Sequence, residues 1–206
     1  MAQGPLDRLT AWGAVARCFA SSLGMLRRRE VRLARGNVGR TLRFADGTPA
    51  QVYRETIANR VPADPCFLAV RFRLRGIHGW MHRVFEAGSL LNTPLFIGFP
   101  GFSSKLWLTH DEHDSYRGLY EWDGAPRAER YARSLWRVLA LVSAPGSINY
   151  QIVPGFRRDD VLADPSLLNL FTGTRDAGGW WRPRACESLY LPANAHATDT
   201  PGRNRP

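Results

Sequence analysis

Residues 101–122 read GFSSKLWLTHDEHDSYRGLYEW. Phe102 to Leu108 and Tyr116 to Trp122 are ring-rich runs of strand length, and the polar loop Thr109 to Asp114 has the length of a hairpin connection. Two consecutive antiparallel strands are therefore predicted here. Upstream, Leu68, Val70, Phe72 and Leu74 alternate with Ala69, Arg71 and Arg73, which predicts a strand over Cys66 to Leu74. His78 to Leu91 reads as a helix, followed by the Pro/Gly-rich connection Pro94 to Gly101. Downstream, Ala128, Tyr131, Ala132, Leu135, Leu139 and Val142 recur at helical spacing within Ala125 to Ser143, with Arg127, Arg130, Arg133 and Arg137 on the other side. Pro126 suits a first turn, and Pro145-Gly146 ends the helix. Ser147 to Val153 is the last strand. Strand, helix, strand, strand, helix, strand is the split βαβ order. It predicts an α+β fold, a ferredoxin-like βαββαβ sandwich with both helices on one face of a four-stranded antiparallel sheet and the other face open.

This domain spans residues 61–156, and the rest of the chain reads as extensions. Within 1–60, Leu6, Leu9, Gly13, Ala16, Phe19, Leu23 and Leu26 form one face of an amphipathic helix, expected to pack on protein and not to anchor to a membrane. Thr41 to Phe44 and Gln51 to Arg54 flank Asp46-Gly47, a dipeptide that tolerates the positive φ of a tight turn, so a hairpin follows. Within 157–206, Leu162, Leu167, Leu168, Leu170 and Phe171 suggest a short helix. Gly178 to Trp181 is a loop carrying large rings, and the polar tail is expected to be disordered from about residue 192.

The net charge of +10 sits mostly in the first sixty residues, where eleven arginines face four acids. The central domain holds ten basic against eight acidic residues, so the charge there argues against nucleic acid as a partner. Of 28 basic residues only Lys105 is a lysine. No apolar run is long enough to span a bilayer, and nothing resembles a cleavable signal peptide. Cys18, Cys66 and Cys186 lie far apart without metal-ligand spacing, which fits a reducing compartment and a cytoplasmic location.

Strand parity sorts the side chains. Ser104, Leu106 and Leu108 share a side suited to helix packing, which puts Lys105 and Trp107 on the open face. Arg71 and Arg73 of the first strand, and Asn149 and Gln151 of the last, take the same face. In the third strand, Tyr116, Gly118, Tyr120 and Trp122 oppose Arg117, Leu119 and Glu121, and parity alone does not choose between them. A face mixing cations, amides and rings has the makeup of a small-molecule pocket, and Trp107 also suits a subunit interface.

The run Gly101-Phe102-Ser103-Ser104-Lys105-Leu106-Trp107-Leu108, then Tyr116-Arg117-Gly118-Leu119-Tyr120-Glu121-Trp122, then a helix rich in Ala and Tyr, is similar to the YdhR-like proteins of the dimeric α/β-barrel superfamily. The resemblance covers about residues 66 to 156. It implies a homodimer whose two sheets close into a barrel around ligand pockets, each chain supplying half. It also implies cofactor-independent monooxygenase or polyketide-cyclase-like chemistry on an aromatic or polyketide-like substrate. A non-catalytic ligand-binding or scaffold protein is the alternative. The basic helix, the hairpin and the C-terminal extension lie outside the minimal barrel.

No nucleophile elbow, P-loop or dinucleotide glycine fingerprint occurs. His110 and His113 flank Asp111-Glu112 in a short loop, and His78 and His82 stand at i and i+4. Neither pair has the pattern of a metal site, so no metal and no cofactor is expected. The candidate catalytic residues are Lys105 and Arg71, cations that would meet developing negative charge on a substrate oxygen. A desolvated Lys105 could also serve as a base. Trp107, Tyr120, Asn149 and Arg73 are the candidate substrate-binding residues. Arg117-Gly118-Leu119-Tyr120 echoes an RNA-recognition strand, but Glu121 would repel phosphate.

Overall fold

The computed structural model describes residues 4–77, 79–171 and 178–187. His78 and the tail from residue 192 lie outside them, as does the side chain of Cys186. The chain builds an α+β fold on one curled antiparallel sheet. In sequence order its strands are β1 (Val31–Ala34), β2 (Thr41–Phe44), β3 (Pro49–Ala58), β4 (Pro65–Arg73), β5 (Phe102–Leu108), β6 (Ser115–Asp123), β7 (Asn149–Pro154) and β8 (Pro183–Glu187). Across the sheet they run β7-β4-β6-β5-β3-β2-β8, with β1 paired to β3. The helices are α1 (Arg8–Arg27), α2 (Met81–Gly88), α3 (Ala125–Val142) and α4 (Arg158–Ala163), with 3₁₀ segments at Ser89–Leu95 and Pro165–Leu170. Among the described residues no helix is long and apolar enough to cross a membrane.

The hairpin forms where Asp46-Gly47 predicts it, Gly47 taking φ of 90°. It does not stand apart: β3 pairs along β5, and β8 from the C-terminal extension pairs with β2. The sheet thus runs through all three stretches of the chain. The predicted second helix is shorter than expected, because α2 ends at Gly88 and the chain continues as the 3₁₀ segment containing Pro94.

Both faces of the sheet are covered. On one, Leu68, Val70, Trp107, Tyr120, Trp122 and Tyr150 pack under α1, α3 and the segment after α2. On the other, Phe67, Ala69, Leu106, Leu108, Leu119 and Val153 meet Val161, Leu162, Leu168, Trp180 and Trp181. Val153 and Leu42 come from strands near opposite ends of the order yet share this second core, because the sheet curls around it. The face predicted to be open is therefore covered by the chain's own hairpin and C-terminal extension.

This covering corrects the parity of β5. Lys105 and Trp107 lie beneath the helices, while Leu106 and Leu108 serve the second core. All seven residues of β5 are buried, so apolar side chains were no guide to which side the helices occupy. Parity in β4 and β7 is as expected, with Arg71 and Asn149 in register across the face away from the helices. In β6, Tyr116, Gly118, Tyr120 and Trp122 take the helix face.

The stripe of α1 is corrected as well. The helix buries Ala11, Val15, Cys18, Ser22 and Met25, whereas Leu9, Phe19, Leu23 and Leu26 of the predicted stripe are exposed. Close approach is the reason. A Cβ on Gly98 would overlap the Cys18 carbonyl oxygen, and Ser22 Oγ donates to the Pro94 carbonyl at 2.8 Å. Only small side chains fit there, and the bulky ones turn outward.

Candidate functional site

A cavity of about 390 Å³ opens between the sheet and the helices. Its floor is Lys105 and Trp107 of β5 and Tyr120 of β6. One wall is the α3 face around Tyr131, Leu135 and Leu139, and the other runs from Phe85 to Phe96. Leu141 and Val142 rim the mouth and are exposed. The local sequence explains the floor. Lys105 is opposite Tyr120 and Trp107 opposite Gly118, so the two strands present the four residues side by side. Gly118 makes room: a Cβ there would lie 2.8 Å from the Tyr120 ring, which leans across it.

Lys105 is 6 % exposed and sits among rings. Its Nζ is 3.0 Å from the centroid of Trp107, 4.5 Å from Phe96 and 4.8 Å from Tyr120. Among the described residues no carboxylate pairs with it. Burial and then the Arg54 guanidinium hold its amine well below the ordinary lysine range. Arg54 lies 5.5 Å from the same Trp107 ring, fixed by donating to Ser89 Oγ at 2.9 Å and to the Glu86 carbonyl at 3.0 Å. A bulge in β3 places both Tyr53 and Arg54 on this side. Tyr53 lies 3.1 Å from Ser89 Oγ, and burial pushes its phenol up to about 12. Tyr131 donates to Tyr120 Oη at 3.0 Å, and burial raises both phenols.

The six candidate residues divide between the faces. Lys105, Trp107 and Tyr120 meet in this cavity. Arg71, Arg73 and Asn149 line a separate cleft of about 270 Å³ on the other face, beside Asp46 and Asp111. There Arg71 is 3.8 Å from Asp46 and 4.9 Å from the Trp180 ring centroid, and Asn149 Nδ2 donates to the Ser147 carbonyl. Arg71 and Lys105 therefore do not act on one substrate atom. The sheet separates them.

A second polar grouping was missed in the sequence. His82 of α2 stacks on His110, ring centroids 3.7 Å apart, and its Nε2 lies 3.2 Å from Asp114 while its Nδ1 is 2.7 Å from Tyr116 Oη. Among the described residues, the donor atoms of His82, His110 and Asp114 lie within 4.8 Å of one another, and these three could hold a metal ion. The rings are 16° from parallel, which sends their in-plane lone pairs side by side instead of toward one point. The pairing is tertiary: His82 meets the β5–β6 turn only once α2 folds over it. His113, by contrast, is exposed beside Glu112.

Comparison of the chain with protein-family models, curated proteins and solved structures finds no match.

Proposed function

We propose that this chain is a small-molecule-binding protein of ferredoxin-like build, whose ligand site is the cavity over Lys105. The ligand class is an aromatic or polyketide-like compound carrying an oxygen for the amine to meet. One observation carries this reading: a lone amine lies among rings at the floor of a cavity whose walls are mostly apolar, with Asn92 and the phenols of Tyr120 and Tyr131 as the other polar groups. Such a pocket gives affinity through its walls and orientation through its few polar groups. The order β7-β4-β6-β5, fourth, first, third, second of the predicted strands, supports the ferredoxin-like description. The YdhR-like kinship and its homodimeric half-barrel rest on the sequence resemblance. So does monooxygenase or cyclase chemistry. Non-catalytic ligand binding is the second reading, favoured by the separation of Arg71 from Lys105.

Titrating a panel of aromatic phenols and ketones against tryptophan fluorescence tests the site. Lys105→Met is expected to weaken the tightest ligand by roughly 1.5–3 kcal/mol, about tenfold to a hundredfold. Leu106→Ala, in the second core, is expected to leave affinity alone and lower stability by roughly 2–5 kcal/mol. Unchanged affinity in Lys105→Met would remove the site.

A further inference from the structure

Lys105 is furnished as a nucleophile and not only as an anchor. Structural lysines keep their ammonium in water or against a carboxylate. This one lies over the faces of Trp107, Phe96 and Tyr120, and the charge that acts on it is the Arg54 guanidinium over the same Trp107 ring. Desolvation in an apolar pocket and a cationic neighbour are the two circumstances that free an amine's lone pair at neutral pH.

We propose that Lys105 captures aldehydes and ketones as a reversible Schiff base, so that the ligand's oxygen is a carbonyl; this rests on the cavity being the ligand site. Nζ adds to the carbonyl carbon, forming a C–N bond while the C=O π electrons take up a proton. The carbinolamine then loses its hydroxyl as water, and both amine hydrogens depart in the net reaction, leaving C=N. Nothing is oxidised or reduced. The two amine hydrogens leave with the oxygen as water, and Tyr120, whose oxygen accepts from Tyr131, keeps its own hydrogen to donate a hydrogen bond to the carbinolamine oxygen.

The chain contains a single lysine, so a trapped adduct has one side-chain address. The full chain is incubated at neutral pH with 2-naphthaldehyde and cyanoborohydride, then examined by intact mass and peptide mapping. The expected result is one addition of the aldehyde's mass less one oxygen at Lys105. It should form at least about tenfold faster than at the N-terminal amine, whose lower ordinary pKa makes it the stricter standard. Urea unfolding should abolish the preference, and Lys105→Arg should abolish the adduct. 2-Naphthalenemethanol, of the same shape without a carbonyl, separates the two claims. If the alcohol binds by fluorescence but the aldehyde gives no preferential Lys105 adduct, the Schiff base is wrong and the ligand site stands. If neither binds, the site fails and this inference with it.

Discussion

Lys105 and Trp107 are two residues apart on a strand, and that spacing alone put them on one face. Which face was not legible, because β5 is buried on both sides and its leucines belong to the core away from the helices. Arg71 was placed correctly by the alternation of β4, so an error confined to one strand split the candidate site. Lys105 itself stood out in the sequence only as the sole lysine among arginines. Its burial gives stability a pH dependence. With the folded amine below its ordinary 10.5, the unfolded chain holds the extra proton between the two values. Stability therefore rises with pH across that window and levels off above 10.5. Urea unfolding of the parent and Lys105→Met, at neutral pH and near 10.5, should show the parent gaining on the variant as pH rises. A pH-independent difference would mean an ordinary ammonium.

Elements with one clear period were legible: β4, β6, α3 and the β2–β3 hairpin match their expected positions within a few residues. β1 and β8 were not, since Val31–Ala34 and Pro183–Glu187 are only four and five residues long, too short for a pattern to stand out or to signal a partner. Nor was the covering of the second face, which depends on buried charges meeting at long range. Arg117 of β6 donates to Asp111 at 2.7 Å, to Asp46 at 2.8 Å, to Thr48 at 2.7 Å and to the Trp180 carbonyl at 3.1 Å. One side chain thus ties the hairpin turn, the β5–β6 turn and the C-terminal segment together. Arg158 does the same nearby, donating to Glu55 at 2.6 Å while its backbone N–H donates to Glu121. Removing Arg117 would leave the buried Asp111 carboxylate without a cation. Arg117→Met should cost about 3–5 kcal/mol in urea unfolding, against roughly 0.5 kcal/mol or less for Arg73→Ala at an exposed position. Equal small effects would show that the cover is held by apolar packing alone.

At the scale of the molecule, the covered face bears on assembly. The homodimer implied by the resemblance would have used that face, which carries the chain's own α4 and Trp180-Trp181. The Lys105 cavity lies on the opposite side of the sheet, between β5, β6 and α3, and contact through the covered face would not reach it. Ligand affinity is therefore expected to be the same across a range of protein concentrations, whatever mass sedimentation gives. Affinity that rises with protein concentration would point to a site completed by a second copy. The most direct test of the Lys105 cavity uses the chain's one lysine. Labelling its Cε with ¹³C gives a single NMR resonance that reports the cavity floor in the intact fold. The expected signal titrates below 10.5, returns to ordinary behaviour in urea, and shifts when the tightest aromatic ligand saturates the protein. A resonance that titrates near 10.5 in the folded protein and ignores the ligand would contradict the placement of Lys105 at the floor of a ligand site.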